Sequence, residues 1–281
     1  MTMRDVNTIS MTIIEQLTKK AQDLEESIDT LIALYCQERM IYRLSISSYQ
    51  DQFWLTGDSL LFAETEGFIK PPKNTKLAAK PVAYQIDIIK QAFKEICSME
   101  GQEDGIEFLW DEVMISSENE DLFIKIPAIL AHLKTYITLQ INSRENTPVA
   151  LKTMAYPTLL QTASPVLIIE APEHVIASKF VEIYKTPTLD TTINAIQTIF
   201  ALINTQTIEG RVLQECIDTL FDQQRLTIEK DHAFFMRQFL QQATSEIVTR
   251  QVQKFLSPVY DVILQEEEFF KHWDCKQLKW H

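Results

Sequence analysis

The sequence predicts an α+β protein in which a mixed sheet flanked by helices is followed by a helical C-terminal part. The chain has 5 Gly and 10 Pro in 281 residues, which is too few turn residues for an all-β sandwich of many short strands. Apolar residues recur three and four positions apart near the N-terminus and again beyond Pro172, whereas between these regions they alternate with polar residues. We therefore expect helices at both ends and strands in the middle.

Length and charge limit the classes of protein that the chain can belong to. At 281 residues it exceeds a usual single core of roughly 100–150 residues, so more than one domain is expected. The 26 basic and 39 acidic residues give a net charge of −13. An acidic surface repels phosphate backbones, which argues against broad nucleic-acid binding.

Location is predicted from apolar runs and cysteines. The sequence has no uncharged apolar stretch of about 18 residues, so no membrane span is expected. No apolar run of signal-peptide length follows Met1. The four cysteines are far apart and lack C-x-x-C spacing, which favours buried free thiols in a reducing compartment. The prediction is a cytoplasmic protein.

The N-terminal third contains several short patterns. Helical spacing over 11–48 predicts one long helix or two in succession. Phe53–Leu55 is a short apolar run before Gly57 and suits a buried strand, and a helix can start at Ser59. Residues 66–80 contain two Pro and four Lys and predict a loop that leads into a short strand. A helix is expected over 84–99.

The middle of the chain alternates polar and apolar residues. We predict strands over 101–121 with a turn at 116–119, and further strands at Leu122–Ile126, Tyr136–Asn142 and Val166–Glu170, with a loop over 144–165. Helices are predicted at 173–185, 191–204, 209–225, 231–242 and 245–270. The expected domains are an N-terminal helical segment over 1–38, a sheet domain over 39–188 and a helical domain over 189–281.

The run from Phe53 to Ala79 has an order of residues that suits nucleotide transfer. A strand, a Gly turn with a small hydroxyl residue, and a next strand with two carboxylates one residue apart is the arrangement of the polymerase-β-like nucleotidyltransferases. Backbone N–H groups of such a turn can hold phosphates. Two carboxylates one residue apart on a strand share a face and can hold Mg²⁺.

The chain resembles one branch of that superfamily, the AbiEii-type nucleotidyltransferases, which are toxins of bacterial toxin–antitoxin systems. The resemblance extends from about Arg39 to Asn204. Its motifs are Phe53–Leu61 for a Leu-Lys-Gly-Gly turn, Lys73–Ala79 for an Arg-x-Thr-x-Asp-x-Asp strand, Asp104-Gly105, Leu139–Asn142 for the strand with a third carboxylate, and Pro172–Phe180 for a Glu-x-x-Ile-Ala-Glu-Lys-Leu helix.

The chain departs from the family pattern at Thr56, where the pattern has Lys, at Asp58, where it has the second Gly, and at every expected metal ligand. Leu77, Ala79 and Asn142 stand where the resemblance implies metal-binding carboxylates. Neutral side chains cannot concentrate Mg²⁺, so the resemblance implies a degenerate site with no cofactor, and Mg²⁺ with a nucleoside triphosphate only if the protein is active. The candidates for binding a nucleotide are Gly57, Asp58, Ser59, Lys73, Thr75, Lys76 and Lys179.

Two alternatives remain open on the sequence alone. The protein could be an active nucleotidyltransferase that uses relocated acids such as Asp58 or Asp87, and two acids would then have to converge beside Gly57. It could instead bind a protein partner through its helical C-terminal part, and aromatic residues around 234–273 would then form an exposed apolar surface. The alternative for these aromatic residues is an ordinary core.

Overall fold

The structure is a computed structural model that describes residues 3–65, 69–99, 103–143, 150–185, 188–227 and 245–281. It divides into two compact units. The first comprises residues 1–63, 71–147 and 153–169, and the second comprises residues 64–70, 148–152 and 170–281. The division reports which residues are in close contact with one another. It does not test the domain boundaries 1–38, 39–188 and 189–281, which stay a prediction.

Two helices open the first unit: α1 at Met3–Asp23 and α2 at Ile28–Ser45. The Ser27 hydroxyl accepts a hydrogen bond from Thr30 N at 3.1 Å, which satisfies one of the free N–H groups at the start of α2. The helical pattern over 11–48 therefore corresponds to two helices, because a capped break at 24–27 separates them.

A mixed sheet forms the centre of the first unit. Its strands are β1 Phe53–Leu55, β2 Thr75–Ala79, β3 Ile106–Phe108, β4 Met114–Glu118, β5 Asp121–Leu130, β6 Leu133–Ser143, β7 Leu151–Ala155 and β8 Val166–Glu170, with α3 Gly57–Glu64 and α4 Ile86–Cys97 between them. The strand order is β3-β5-β6-β2-β1-β8-β7, and β4 pairs with β5. Since β1 is antiparallel to β2 and β2 is parallel to β6, the sheet is mixed, which confirms the predicted α+β class.

The sheet has one face covered by helices, here called the covered face. Directly opposite residues of paired strands point to the same face, so the registers assign each residue to a face. The Phe53 ring packs on Phe93 of α4 with ring centroids 5.4 Å apart, and α2 packs on β6. The covered face carries Phe53, Leu55, Thr75, Leu77, Ala79, Ile124, Ile126, Leu139 and Ile141, all of them buried.

The opposite side of the sheet is called the second face. It carries Trp54, Lys76, Ala78, Phe123, Lys125, Thr138, Gln140 and Asn142. Trp54 and Ala78 are buried, whereas Lys125 is exposed and most of the others are half-buried. This face is therefore buried at β1 and open towards β5.

The second unit is mainly helical. Its helices are α5 Pro172–Lys185, α6 Leu189–Thr205, α7 Gly210–Gln224 and α8 Glu246–Leu264. A small antiparallel sheet with the order β11-β10-β9 is formed by β9 Ile208–Glu209, β10 His272–Asp274 and β11 Lys279–Trp280. The helix expected at 231–242 lies outside the described residues.

Three sequence predictions differ from the structure. The turn expected at 116–119 is a two-residue turn at Asn119 and Glu120, whose φ angles are 49° and 69°, as type I′ hairpins require. β7 lies in the predicted loop over 144–165. Its side chains are exposed or half-buried throughout, so no buried face marks it in the sequence. The last helix ends at Leu264, and a hairpin follows it.

Three of the four cysteines are buried, as the sequence predicts, whereas Cys275 is half-buried. All four cysteines are free thiols, with Cys36, Cys97 and Cys216 buried. Burial raises the pKa of Cys97 and of Cys216 to about 12, so these thiols stay protonated and unreactive. Within the described ranges, no helix is both long enough and apolar enough to cross a membrane.

Candidate functional site

The turn between β1 and α3 lies against the side chain of Lys76. Thr56 N donates to Lys76 O at 3.1 Å, which ties the turn to β2. Gly57 has a φ of +56°, and a Cβ at this position would lie 2.9 Å from Lys76 Cδ. Glycine therefore serves two needs here: it accepts the left-handed backbone, and it leaves room for the lysine stem.

Ser59 fixes α3 to β2 and is fully buried. Its hydroxyl donates to Asn74 O at 3.1 Å and accepts from Lys76 N at 2.9 Å. Both bonds go to the backbone at the start of β2. Because its donor is used and its atoms are buried, Ser59 positions the turn and is not available to bind a phosphate.

Lys76 and Asp58 form the charged part of the turn. Lys76 Nζ lies 3.0 Å from Asp58 Oδ2, and the two side chains are 34% and 64% exposed. An ion pair this open to water contributes little to stability, so an anionic ligand can displace the carboxylate from the ammonium. Asp58 is thus the acidic partner of the Lys76 ammonium at this turn.

The other binding candidates lie in different surroundings. Thr75 is 2% exposed on the covered face, where no ligand reaches it. Lys73 is exposed, and its carbonyl accepts from Gln37 Nε2 at 2.6 Å. Lys179 belongs to α5 in the second unit and pairs with Glu182 at 2.5 Å. The structure therefore brings together Gly57, Asp58, Ser59 and Lys76.

The three positions expected to hold carboxylates do not lie on one face of the sheet. Leu77 and Ala79 are 1% and 0% exposed on the covered face. Asn142 is paired with Ala78 and lies on the second face. Three such positions cannot be ligands of one metal ion, whatever residues occupy them. The positions of β2 that share a face with Asn142 carry Lys76 and Ala78.

The second face around Lys76 holds polar groups, with an acid at its margin. Gln140 Nε2 donates to Asp121 Oδ2 at 2.6 Å. The buried Oδ1 of Asn142 has no hydrogen-bond partner within the described part of the chain. In the same part, no three or more His, Cys, Asp or Glu side chains are grouped so that they could hold a metal ion. An ammonium at residue 76 repels a divalent cation at this site.

A buried polar row on α2, made of Glu38 and Arg39, was not predicted from the sequence. The Glu38 carboxylate, 2% exposed, accepts from Leu159 N at 2.6 Å, and Arg39 Nη1 donates to Ala163 O at 2.9 Å. Burial raises the pKa of Glu38, while the Leu159 N–H and Arg39 oppose the rise. The run Cys36-Gln37-Glu38-Arg39, polar within a packed helix, was the available signal.

A cavity beside this row is too small for a nucleobase. It measures about 60 Å³ and is lined by Glu38, Phe62, Tyr156 and Leu159 among others. A cavity of roughly 150 Å³ is needed to hold one benzene ring. The row on α2 thus anchors loops, and its cavity has space for water molecules.

Asp104 of the Asp-Gly motif is likewise structural. Arg43 contacts both of its carboxylate oxygens, with Nη2–Oδ1 at 2.9 Å and Nε–Oδ2 at 3.0 Å. Gly105 has a φ of +65°, and a Cβ there would lie 2.8 Å from the Ser10 hydroxyl. The motif therefore connects α1, α2 and β3.

The residues named by the alternatives are also placed. Asp87 is exposed in the first turn of α4, a helix that packs on the covered face. Phe269 and Trp273 are 3% and 0% exposed and belong to a core, whereas Phe270 is 76% exposed. Phe234, Phe235 and Phe239 lie outside the described residues.

Comparison with known proteins gave matches at the level of structure alone. No family model matches the chain, and no curated protein matches it. JHP933 from Helicobacter pylori is similar with a TM-score of 0.46 and 10% identity, over 86% of this chain and 99% of that one. A second H. pylori protein, provisionally named a nucleotidyltransferase, has a TM-score of 0.41 and 10% identity, over 79% of this chain and 94% of its own.

Proposed function

We propose that the protein is a nucleotidyltransferase-like protein that binds the phosphates of a nucleoside triphosphate at the β1–α3 turn and transfers no nucleotide by metal catalysis. The observation that carries the proposal is the position of Lys76. Its ammonium lies beside Gly57 at the start of α3, where the first N–H groups of a helix have no partner within the helix. An ammonium and a helix N-terminus both attract phosphate.

The same residue argues against metal-assisted transfer. Two-metal transfer needs carboxylates that hold the metal ions against the nucleotide phosphates. On the second face, β2 carries Lys76 and Ala78 instead, and Asn142 adds a neutral amide. Lys76 would supply the positive charge that a metal otherwise provides, which holds a phosphate but does not activate a nucleophile.

Calorimetric titration with each of the four nucleoside triphosphates, with and without Mg²⁺, tests the proposal. We expect binding that does not depend on Mg²⁺. Lys76→Ala should weaken it by about ten-fold or more, since a charged hydrogen bond contributes roughly 1.5–3 kcal/mol. Lys90→Ala is the matched control, because Lys90 is an exposed lysine of α4, on the opposite side of the sheet. Equal losses in the two variants would refute the site.

The relocated-acid alternative predicts a different result. Asp58 and Asp87 would then support Mg²⁺-dependent labelling of RNA or protein from a radiolabelled nucleoside triphosphate, and Asp58→Asn would abolish it. Under our proposal, labelling stays at the background level, and Asp58→Asn strengthens nucleotide binding because it releases Lys76. The relation to AbiEii-type toxins is part of the proposal. Because the proposed protein transfers no nucleotide, its expression in bacteria should not arrest growth.

A further inference from the structure

Two histidines lie side by side on the hairpin formed by β10 and β11. His272 N donates to His281 O at 3.2 Å, and His281 N donates to His272 O at 2.9 Å. Residues that exchange both backbone bonds are directly opposite, so their side chains share one face. Their imidazole rings are stacked, with centroids 5.6 Å apart and planes 20° apart, and both residues are exposed.

The opposite face of the hairpin is fixed to the core of the second unit. Trp273 is fully buried and donates from Nε1 to Ile203 O at 2.7 Å. Trp280 donates from Nε1 to Phe255 O at 2.8 Å. The Phe255 ring lies 5.0 Å from the Trp273 ring and 4.9 Å from the Trp280 ring. The two histidines therefore stand on a rigid support, as a binding site requires.

The charges around the pair favour a cation. β9 pairs with β10 so that Glu209 lies opposite His272, and Asp274 follows two residues later on the same face. Asp274 Oδ1 accepts from Lys276 N and Gln277 N at 2.7 and 3.1 Å, which holds the turn of the hairpin. Lys279, opposite Asp274, is the basic side chain that the register places on this face.

We propose that His272 and His281 bind one divalent transition-metal ion through their imidazole nitrogens. Imidazole suits Zn²⁺, Ni²⁺ and Cu²⁺ and discriminates against Mg²⁺ and Ca²⁺, which prefer oxygen ligands. In the described residues no third His, Cys, Asp or Glu completes the group, so water or a further ligand fills the other positions. The site belongs to the second unit and does not depend on the proposed nucleotide site in the first.

Zn²⁺ titration of the full chain by calorimetry, after treatment with EDTA and removal of the chelator, tests the proposal. We expect one equivalent to bind to the wild type. His272→Ala and His281→Ala should each raise the Kd by at least about ten-fold, since even the loss of a partner that only supports a ligand costs roughly 10–100-fold. His132→Ala is the control. His132 is exposed in the turn between β5 and β6, so its replacement should leave the Kd for Zn²⁺ unchanged.

A second readout reports where the ion binds. Cu²⁺ at the pair should quench the fluorescence of Trp280, which precedes His281 in the chain, and the double variant His272→Ala/His281→Ala should lose that quenching. Because both rings are exposed, the EDTA-treated variants should unfold at the wild-type temperature; if either unfolds lower, the Gln variants replace the Ala variants in both assays. Zn²⁺ affinity and Cu²⁺ quenching that survive in the double variant would overturn the proposal.

Discussion

Arg43 and Asp104 form a two-point ion pair that joins α2 to the start of β3, with both side chains 4% exposed. Arg43 also donates to Cys97 O at 3.0 Å and to Ile106 O at 2.8 Å, and its guanidinium lies 4.8 Å from the centre of the Phe108 ring. A single side chain thus satisfies two carbonyls and one carboxylate in the interior.

Loss of one partner of this pair should be costly. Asp104→Asn leaves the guanidinium buried without its counter-charge, and we expect a loss of about 3–5 kcal/mol in the free energy of unfolding. Chemical denaturation measures it. Lys134→Ala is the control, since it breaks the exposed pair with Glu112 and should cost less than about 1 kcal/mol. Similar losses in both variants would contradict the assignment.

The two faces of β2 should respond differently to an introduced acid. Leu77→Asp places an unpaired carboxylate in the core and should cost about 4 kcal/mol or more, or prevent folding. Lys76→Asp puts the acid on the second face and should leave the protein folded. Circular dichroism and denaturation separate these outcomes. A folded Leu77→Asp protein that binds Mg²⁺ would show that residue 77 faces a metal site after all.

Gly210 allows a close approach at the start of α7. Its N–H donates to Lys271 O at 2.7 Å. A Cβ there would lie 2.5 Å from that same oxygen and 2.5 Å from Phe269 Cδ1. Gly210→Ala should therefore destabilise the protein by about 2–3 kcal/mol, as overpacking does. Gly57→Ala, where the neighbour is a flexible lysine stem, should cost only about 1–2 kcal/mol from its backbone angle. Thermal unfolding of the two variants ranks them.

Ionisation of the buried Glu64 carboxyl should make the free energy of unfolding depend on pH. Its side chain is 0% exposed, and Lys152 Nζ lies 2.6 Å from Oε1, but Oε2 has no hydrogen-bond partner within the described part of the chain. Burial raises the pKa of Glu64 above 4.5, and Glu173 and Glu170 add to the rise while Lys152 opposes it. The folded protein thus binds this proton more tightly than the unfolded chain. The stabilisation from this proton is complete below the pKa that Glu64 has in the unfolded chain. It is lost as pH rises through the pKa that Glu64 has in the folded protein.

Glu64→Gln tests this dependence because glutamine does not ionise. The free energy of unfolding of the variant should rise relative to that of the wild type as pH increases from about 4 to 8. Denaturant titrations at several pH values measure the difference. Glu26→Gln, at an exposed position before α2, controls for the loss of one surface carboxylate. A difference between Glu64→Gln and wild type that stays constant with pH would contradict the burial of an ionising group.

The fold class and most elements could be predicted from the sequence because periodicity reports burial. Residues 136–142 lie in a strand with one buried face, and their alternation shows it. Phe53–Leu55 is too short for periodicity and was predicted from an apolar run that ends before Gly57. β7 has no buried face, so it gave no signal. The faces of β2 could not be predicted, because Leu77, Ala78 and Ala79 are all apolar and a shift of one residue exchanges the faces. Only pairing with β1 and β6 assigns them.

Part of the candidate site could be predicted because its residues are close together in the sequence. The Gly57 turn and Lys76 come together because the segment is local in sequence: Asp58 and Lys76 are 18 positions apart. Ser59 looks like a phosphate ligand in the sequence, but its hydroxyl is used by backbone groups of Asn74 and Lys76. The pairing of His272 with His281 depends on a hairpin that the helical pattern of the preceding segment obscured.

The polar row on α2 bears on how the first unit forms during synthesis. Glu38 and Arg39 form an ion pair with each other, yet the neutral groups that hydrogen-bond to them belong to residues 159 to 163, which are 121 to 124 positions later. Until that segment has been made, burying α2 on the sheet would leave a carboxylate and a guanidinium without those partners. Closure of the first unit around α2 is therefore a late event, set by contacts of long sequence separation, and a chain that stops before residue 159 should remain open along this helix.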